Sequence, residues 1–140
     1  MTTRVEVSAT WKGKLAFDAK GHTPVIVPID YVKPLGDDLS PMPMELLLMS
    51  LAACSGATVA TLLGRANLKP DKLEVRASGE RREEHPTTFE SIRLEFRLRG
   101  GNVDRASAEK AIKMSEERFC PVWAMLKGAV PIVAGCLIEK

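Results

Sequence analysis

Residues 41–64 carry a single charge, Glu45. Ser40 offers an N-cap and Pro41 a first helical position, so the segment reads as one helix running to about Asn67. A surface helix shows one apolar stripe, whereas this one is apolar nearly all round and must be covered on every side. A helix of about 25 residues is some 38 Å long, and a chain of 140 residues has little material with which to wrap it. The expectation is a tightly packed homodimer in which a second copy supplies the missing cover. A membrane span is the competing use of such a run. Ser50, Ser55, Gly56, Thr58, Thr61 and Gly64 are spread along it and no basic cluster precedes it, which favours a buried helix and no membrane.

The flanking sequence alternates between strand and helix patterns. Residues 3–11, 13–19 and 23–30 read as three short strands, with turns at Lys12-Gly13 and Lys20-Gly21-His22. Residues 31–43 are rich in proline, aspartate and glycine and read as a loop. Residues 73–80 and 89–99 alternate strictly enough to form a hairpin with one wet face, turning at His85-Pro86-Thr87. An amphipathic helix follows Gly100-Gly101, with Asp104 or Ser107 as N-cap, and carries Ala108, Ala111, Ile112, Ser115 and Phe119 on one face. Pro121 interrupts it just after Cys120, a short helix passes through Met125-Leu126, and residues 129–139 close the chain as a mostly apolar strand. The fold class is α+β, organised as a single domain over residues 1–140.

Composition excludes several functions. A net charge of +2, with the basic residues scattered among nearly as many acids, offers no stripe for nucleic acid. The N-terminus alternates like a strand instead of carrying an apolar leader. Three cysteines are too few for a disulfide framework, and the odd count fits a reducing cytoplasm. His22 and His85 both fall in turns, and without a third histidine or a Cys-x-x-Cys spacing no structural zinc site is expected.

What remains is a pair of cysteines in segments that should be buried. Cys54 ends the run Leu51-Ala52-Ala53-Cys54, and Cys120 lies in Phe119-Cys120-Pro121-Val122. A thiol on an apolar helix is most often packing material, and Cys136 on the last strand reads that way. Cys54 and Cys120 could instead form a couple in which one attacks and the other closes a disulfide. Leu47, Leu48, Met49 and Leu51 read as dimer core, and Met125 and Trp123 as packing or as the wall of an apolar pocket.

Pro43-Met44-Glu45-Leu46-Leu47-Leu48 leading to Leu51-Ala52-Ala53-Cys54, followed by Phe119-Cys120-Pro121-Val122 and Leu126-Lys127-Gly128, resembles the OsmC/Ohr family over essentially the whole chain. The resemblance implies an intertwined homodimer with antiparallel sheets around two central cysteine-bearing helices. It also implies a thiol-dependent peroxidase acting on organic hydroperoxides. Cys54 would be the peroxidatic thiol, Cys120 the resolving one, and Glu45 an orienting carboxylate. No cofactor is implied beyond an external dithiol or lipoyl-type reductant. Cys54 would attack the distal peroxide oxygen as a thiolate and become a sulfenic acid, with which Cys120 would condense.

That chemistry needs an ionised thiol, whereas burial alone raises a thiol's pKa. The better-known branches use an arginine from the N-terminal sheet, held by a glutamate directly after the motif proline. Here Met44 follows Pro43, the acid stands at Glu45, and no arginine lies between Arg4 and Arg65. Lys12 and Lys14 are the basic residues of the N-terminal strands, and lysine lacks the planar fork of arginine. The alternative is a non-enzymatic, dimeric small-molecule-binding or redox-sensing member of the family.

Overall fold

The computed structural model describes residues 2–140, and the chain forms two compact units that divide between Leu47 and Leu48. In the N-terminal unit, β1 (Ser8–Gly13), β2 (Ala16–Lys20) and β3 (Ile26–Ile29) form an antiparallel meander in that order. The strands are shorter than their sequence patterns. Ser8 pairs with Lys20, the last residue of β2, and residues 3–7 pair with no strand among the described residues. Gly13 and Lys14 turn the first hairpin at positive φ, +108° and +48°.

The loop after β3 is organised by one carboxylate. Asp30 is only 4% exposed and accepts the backbone N–H groups of Tyr31 at 2.8 Å, Asp37 at 3.2 Å and Leu39 at 3.4 Å. These donors, Tyr31 foremost, hold its pKa below the ordinary aspartate value, against the opposing pull of burial. A Cβ at Gly36 would collide with the Asp30 carboxylate and the Tyr31 carbonyl, so the loop requires glycine there.

Helix α1 runs from Pro43 to Arg65. It starts two residues later than expected, because Met42 stands before a proline and is thereby kept out of helical backbone. Pro43 therefore takes the first helical position, while the Pro41 carbonyl accepts the Asp30 N–H at 3.0 Å. At the far end Leu68 N–H reaches the Leu63 carbonyl at 2.9 Å and Asn67 N–H the Gly64 carbonyl at 3.0 Å. With Asn67 at φ +61°, this is a Schellman stop.

In the C-terminal unit, β4 (Lys72–Arg81) and β5 (Phe89–Arg99) form the expected antiparallel hairpin. The last strand, β6 (Ile132–Glu139), pairs with β5 in parallel, Ile92 opposite Ile132. A parallel pair cannot be joined by a tight turn. The crossover is supplied by α2 (Arg105–Met114), a π-helical turn over Ser115–Phe119, and α3 (Pro121–Leu126). Asp104 caps α2 by accepting the Ser107 N–H at 2.8 Å.

Ile92, Leu94, Phe96 and Leu98 alternate inward along β5 and form the centre of the core with Trp123, Ala108, Ala111 and Ile112. Between them Glu95 pairs with Arg97 at 2.7 Å on the wetter face. From α1 only Leu51, Ser55, Val59 and Leu63 are buried, a single stripe at helical spacing. Leu51, expected at a dimer core, thus packs inside its own chain, while Met49 stays 48% exposed. By length and composition α1 is apolar enough to cross a membrane; the stripe marks it as the core helix of this fold.

Candidate active site

Cys54 sits in the middle of α1 and is half-buried; Cys120 is buried at 1% exposure. Cys54 packs against the buried core that contains Cys120, and the neighbouring thiol raises its pKa. Cys120 does not lie within a helix, as the sequence pattern had led us to expect. It links the π-helical turn to α3 in extended backbone, with φ −82° and ψ 107°. Its N–H is held by the Ser115 carbonyl at 2.9 Å.

The Cys120 sulfur meets the start of α3. Pro121 takes the first helical position, where a missing N–H costs nothing. Cys120 is the N-cap, and its Sγ accepts the Trp123 N–H at 3.4 Å, as a serine or aspartate oxygen would. The backbone N–H of Val122, in the same turn, favours the Cys54 thiolate. On the other side the Ser55 hydroxyl lies 3.5 Å from Cys120 Sγ. Burial pushes the Cys54 thiol up, the Val122 N–H works against that rise, and the neighbouring Cys120 adds to it. The Cys54 thiol therefore rests protonated near neutral pH.

Cys54 opens onto a groove of about 280 Å³ floored by Thr58, Thr61, Leu62 and Arg65 and bounded by Phe119. These α1 residues follow Cys54 at spacings of four, seven, eight and eleven, one face of a helix. Leu62, Arg65 and Phe119 also border a second groove of about 390 Å³ with walls from Leu63, Leu68, Ala111 and Met114, and Lys110 beside them. Arg65 forms no ion pair among the described residues. It lines the same groove as Cys54, eleven residues further along α1.

The OsmC-like protein model matches residues 36–134, which include both cysteines and the elements between them. The chain belongs to the OsmC-like family. It is 37% identical over 95 residues to Protein YhfA of Escherichia coli strain K12, a match covering 68% of this chain and 71% of that protein. The fold superposes on the OsmC-like protein of Mycoplasma pneumoniae with a TM-score of 0.88 at 18% identity, covering 100% of both chains. It also superposes on the organic hydroperoxide resistance protein OhrB of Bacillus subtilis with a TM-score of 0.66 at 22% identity, covering 96% of this chain and 98% of that one. The OsmC-like fold thus extends over both units, with organic hydroperoxide resistance proteins among its structural neighbours.

The other residues singled out in this OsmC-like chain have local tasks. Glu45 belongs to the N-terminal unit, where its Oε1 accepts the Met42 N–H at 3.0 Å and closes the start of α1. Lys14 is committed to Asp37 at 2.6 Å, which raises its pKa. Cys136 is only half-buried on β6. Arg105 donates to its carbonyl at 3.1 Å and lies 3.5 Å from its sulfur. Burial raises the Cys136 thiol, with Arg105 opposing. Trp123 is core, and Met125 is 81% exposed, so the pair does not form one pocket wall.

Proposed function

We propose that this OsmC-like protein is a thiol peroxidase that reduces organic hydroperoxides through Cys54 and Cys120. The observation that carries the reading is that a groove-facing thiol packs against the same core that holds a buried thiol at the start of α3. The exposure difference assigns the roles. Cys54 borders the groove and attacks; Cys120 has no solvent access and resolves.

The thiolate of Cys54 attacks the distal oxygen, the O–O bond breaks, and the alkoxide leaves as the alcohol after taking up a proton. The sulfur becomes a sulfenic acid. Cys120 then attacks that sulfur, forming the disulfide and releasing hydroxide, which is protonated to water. An external dithiol of the lipoyl class returns both electrons and both protons by thiol–disulfide exchange. The Val122 backbone N–H, which lowers the Cys54 pKa, favours the thiolate where the sheet arginine is missing.

A homodimer belongs to the same proposal. Val5, Trp11 and Val25 in the N-terminal unit, each at least 64% exposed, and Met125 and Val133 in the C-terminal unit are large apolar side chains left open to water. A second copy is the cover the sequence calls for. A cytoplasmic setting would keep all three free thiols reduced.

The raised Cys54 pKa favours one competing reading, a ligand-binding or redox-sensing protein whose thiol turns over slowly. Steady-state peroxide consumption with a dithiol separates them. The peroxidase reading expects turnover that Cys54→Ser abolishes, with Cys120→Ser stalled after one equivalent. Ligand binding with no turnover in the wild type would establish the competitor.

A further inference from the structure

The hydroxyls on α1 differ in what they bond. Thr58 Oγ1 donates to the Cys54 carbonyl at 3.0 Å, and Thr61 Oγ1 to the Ala57 carbonyl at 2.8 Å. Both follow the ordinary habit of a helical hydroxyl, which returns to the carbonyl four residues back. The Leu51 carbonyl offers Ser55 the same bond. Ser55 instead reaches across to Cys120 Sγ, 65 residues away in the chain, at 3.5 Å. It is fully buried, as are Cys120 and Trp123. A buried hydroxyl must be bonded, and this one has the sulfur as its partner.

We propose that Ser55 is a positioning residue for the resolving step, its hydroxyl holding the Cys120 sulfur as a thiolate aimed at the oxidised sulfur of Cys54. The inference rests on the two-cysteine reading above and adds a residue that reading does not need. The geometry gives the buried sulfur two donors, the Ser55 O–H and the Trp123 N–H at 3.4 Å. A buried thiolate requires such donors, because an unpaired charge away from water is strongly disfavoured. The hydroxyl can serve both protonation states. It accepts from the Cys120 S–H before ionisation and donates to the thiolate afterwards. In the bond-forming step the thiolate's electron pair makes the S–S bond, and the S–O bond of the Cys54 sulfenic acid breaks. The departing hydroxide takes a proton and leaves as water. Ser55 is not consumed and does not touch the peroxide.

The test is a single-turnover reaction of Ser55→Ala and wild type with cumene hydroperoxide, followed by intact mass, with a cyclic dione present to trap sulfenic acid. Wild type is expected to go to disulfide with little trapped adduct. Ser55→Ala is expected to consume peroxide at the wild-type rate, form disulfide about tenfold or more slowly, and accumulate the adduct, as loss of a hydrogen bond to a charged group implies. The pH profile of disulfide formation should also move to higher pH, a change that looser packing alone would not produce.

Ser55→Thr and Ser55→Val are isosteric and differ only in the hydroxyl, so their comparison serves if Ser55→Ala does not fold. Threonine should restore fast resolution and valine should not. Disulfide formation in Ser55→Ala at the wild-type rate and pH dependence overturns the role of Ser55 alone. A wild type that leaves the peroxide untouched overturns the two-cysteine reading and this inference with it.

Discussion

Two fully buried serines in this chain predict opposite responses to the same substitution. Ser115 opens the π-helical turn, is inaccessible to water, and its Oγ has no hydrogen-bond partner among the described residues. An unsatisfied buried hydroxyl costs about 1–3 kcal/mol, so Ser115→Ala removes a penalty. The void left by one oxygen is smaller than a methyl, whose loss costs about 1 kcal/mol. Alanine also has the higher helix propensity, by a few tenths of a kcal/mol. The net expectation is a gain of about 1–2 kcal/mol, or roughly 3–6 °C in Tm for a domain of this size. Ser55 carries a satisfied hydroxyl, and Ser55→Ala should lose about 0.5–1.5 kcal/mol. Urea unfolding under reducing conditions, with the m-value checked for constancy, measures both. Destabilisation of Ser115→Ala by 1 kcal/mol or more would refute the reasoning, because it would mean that the hydroxyl has a partner in solution.

Other consequences follow from the electrostatics and the grooves. Because burial raises the Cys54 thiol, its reaction with hydroperoxide should quicken about tenfold per pH unit from pH 6 to 8, tracking the thiolate fraction; a plateau below pH 7 in stopped-flow traces would contradict this. Asp30 titrates below an ordinary aspartate. Its stabilisation is fully present above the unfolded value, about pH 4, and is lost as pH falls through the folded pKa. Asp30→Asn should therefore be the less stable protein at pH 7, with the difference narrowing below pH 4 in urea titrations. Cys136→Ala should leave peroxide consumption unchanged, since the Cys136 neighbours are Arg105 and Glu109, not the thiol pair. Phe119→Ala should open the border shared by both grooves and raise KM for a bulky hydroperoxide more than for tert-butyl hydroperoxide, in steady-state assays.

The parts of this molecule legible in the sequence are those written in short-range patterns. Alternation marked β4 and β5, and of the two N-cap candidates, Asp104 and Ser107, the structure takes Asp104. The apolar run with its single charge marked α1, although the Pro41-Met42-Pro43 triplet hid the register of its start; the second proline decides it. The parallel pairing of β6 carried no local signal, because a buried apolar strand looks the same in either direction. The site was legible as two thiols and not as an arrangement. The Cys120-Pro121 pair is a helix-start signature, since proline at the first helical position makes the preceding residue an N-cap. Read only as a helix interruption, the same pair conceals the Trp123 N–H donor that the Cys120 sulfur accepts. Ser55 stands on the buried stripe of α1, but its partner Cys120 lies 65 residues away and no helical period announces it.

The most direct test of the central claim is intact-mass and peptide analysis after one equivalent of an organic hydroperoxide, on the wild type and on Cys120→Ser. The account predicts rapid loss of two hydrogens in the wild type, a disulfide mapped to Cys54 and Cys120, and a sulfenic acid at Cys54 in the variant. Thiols that stay reduced over minutes, or a disulfide that includes Cys136, would contradict it.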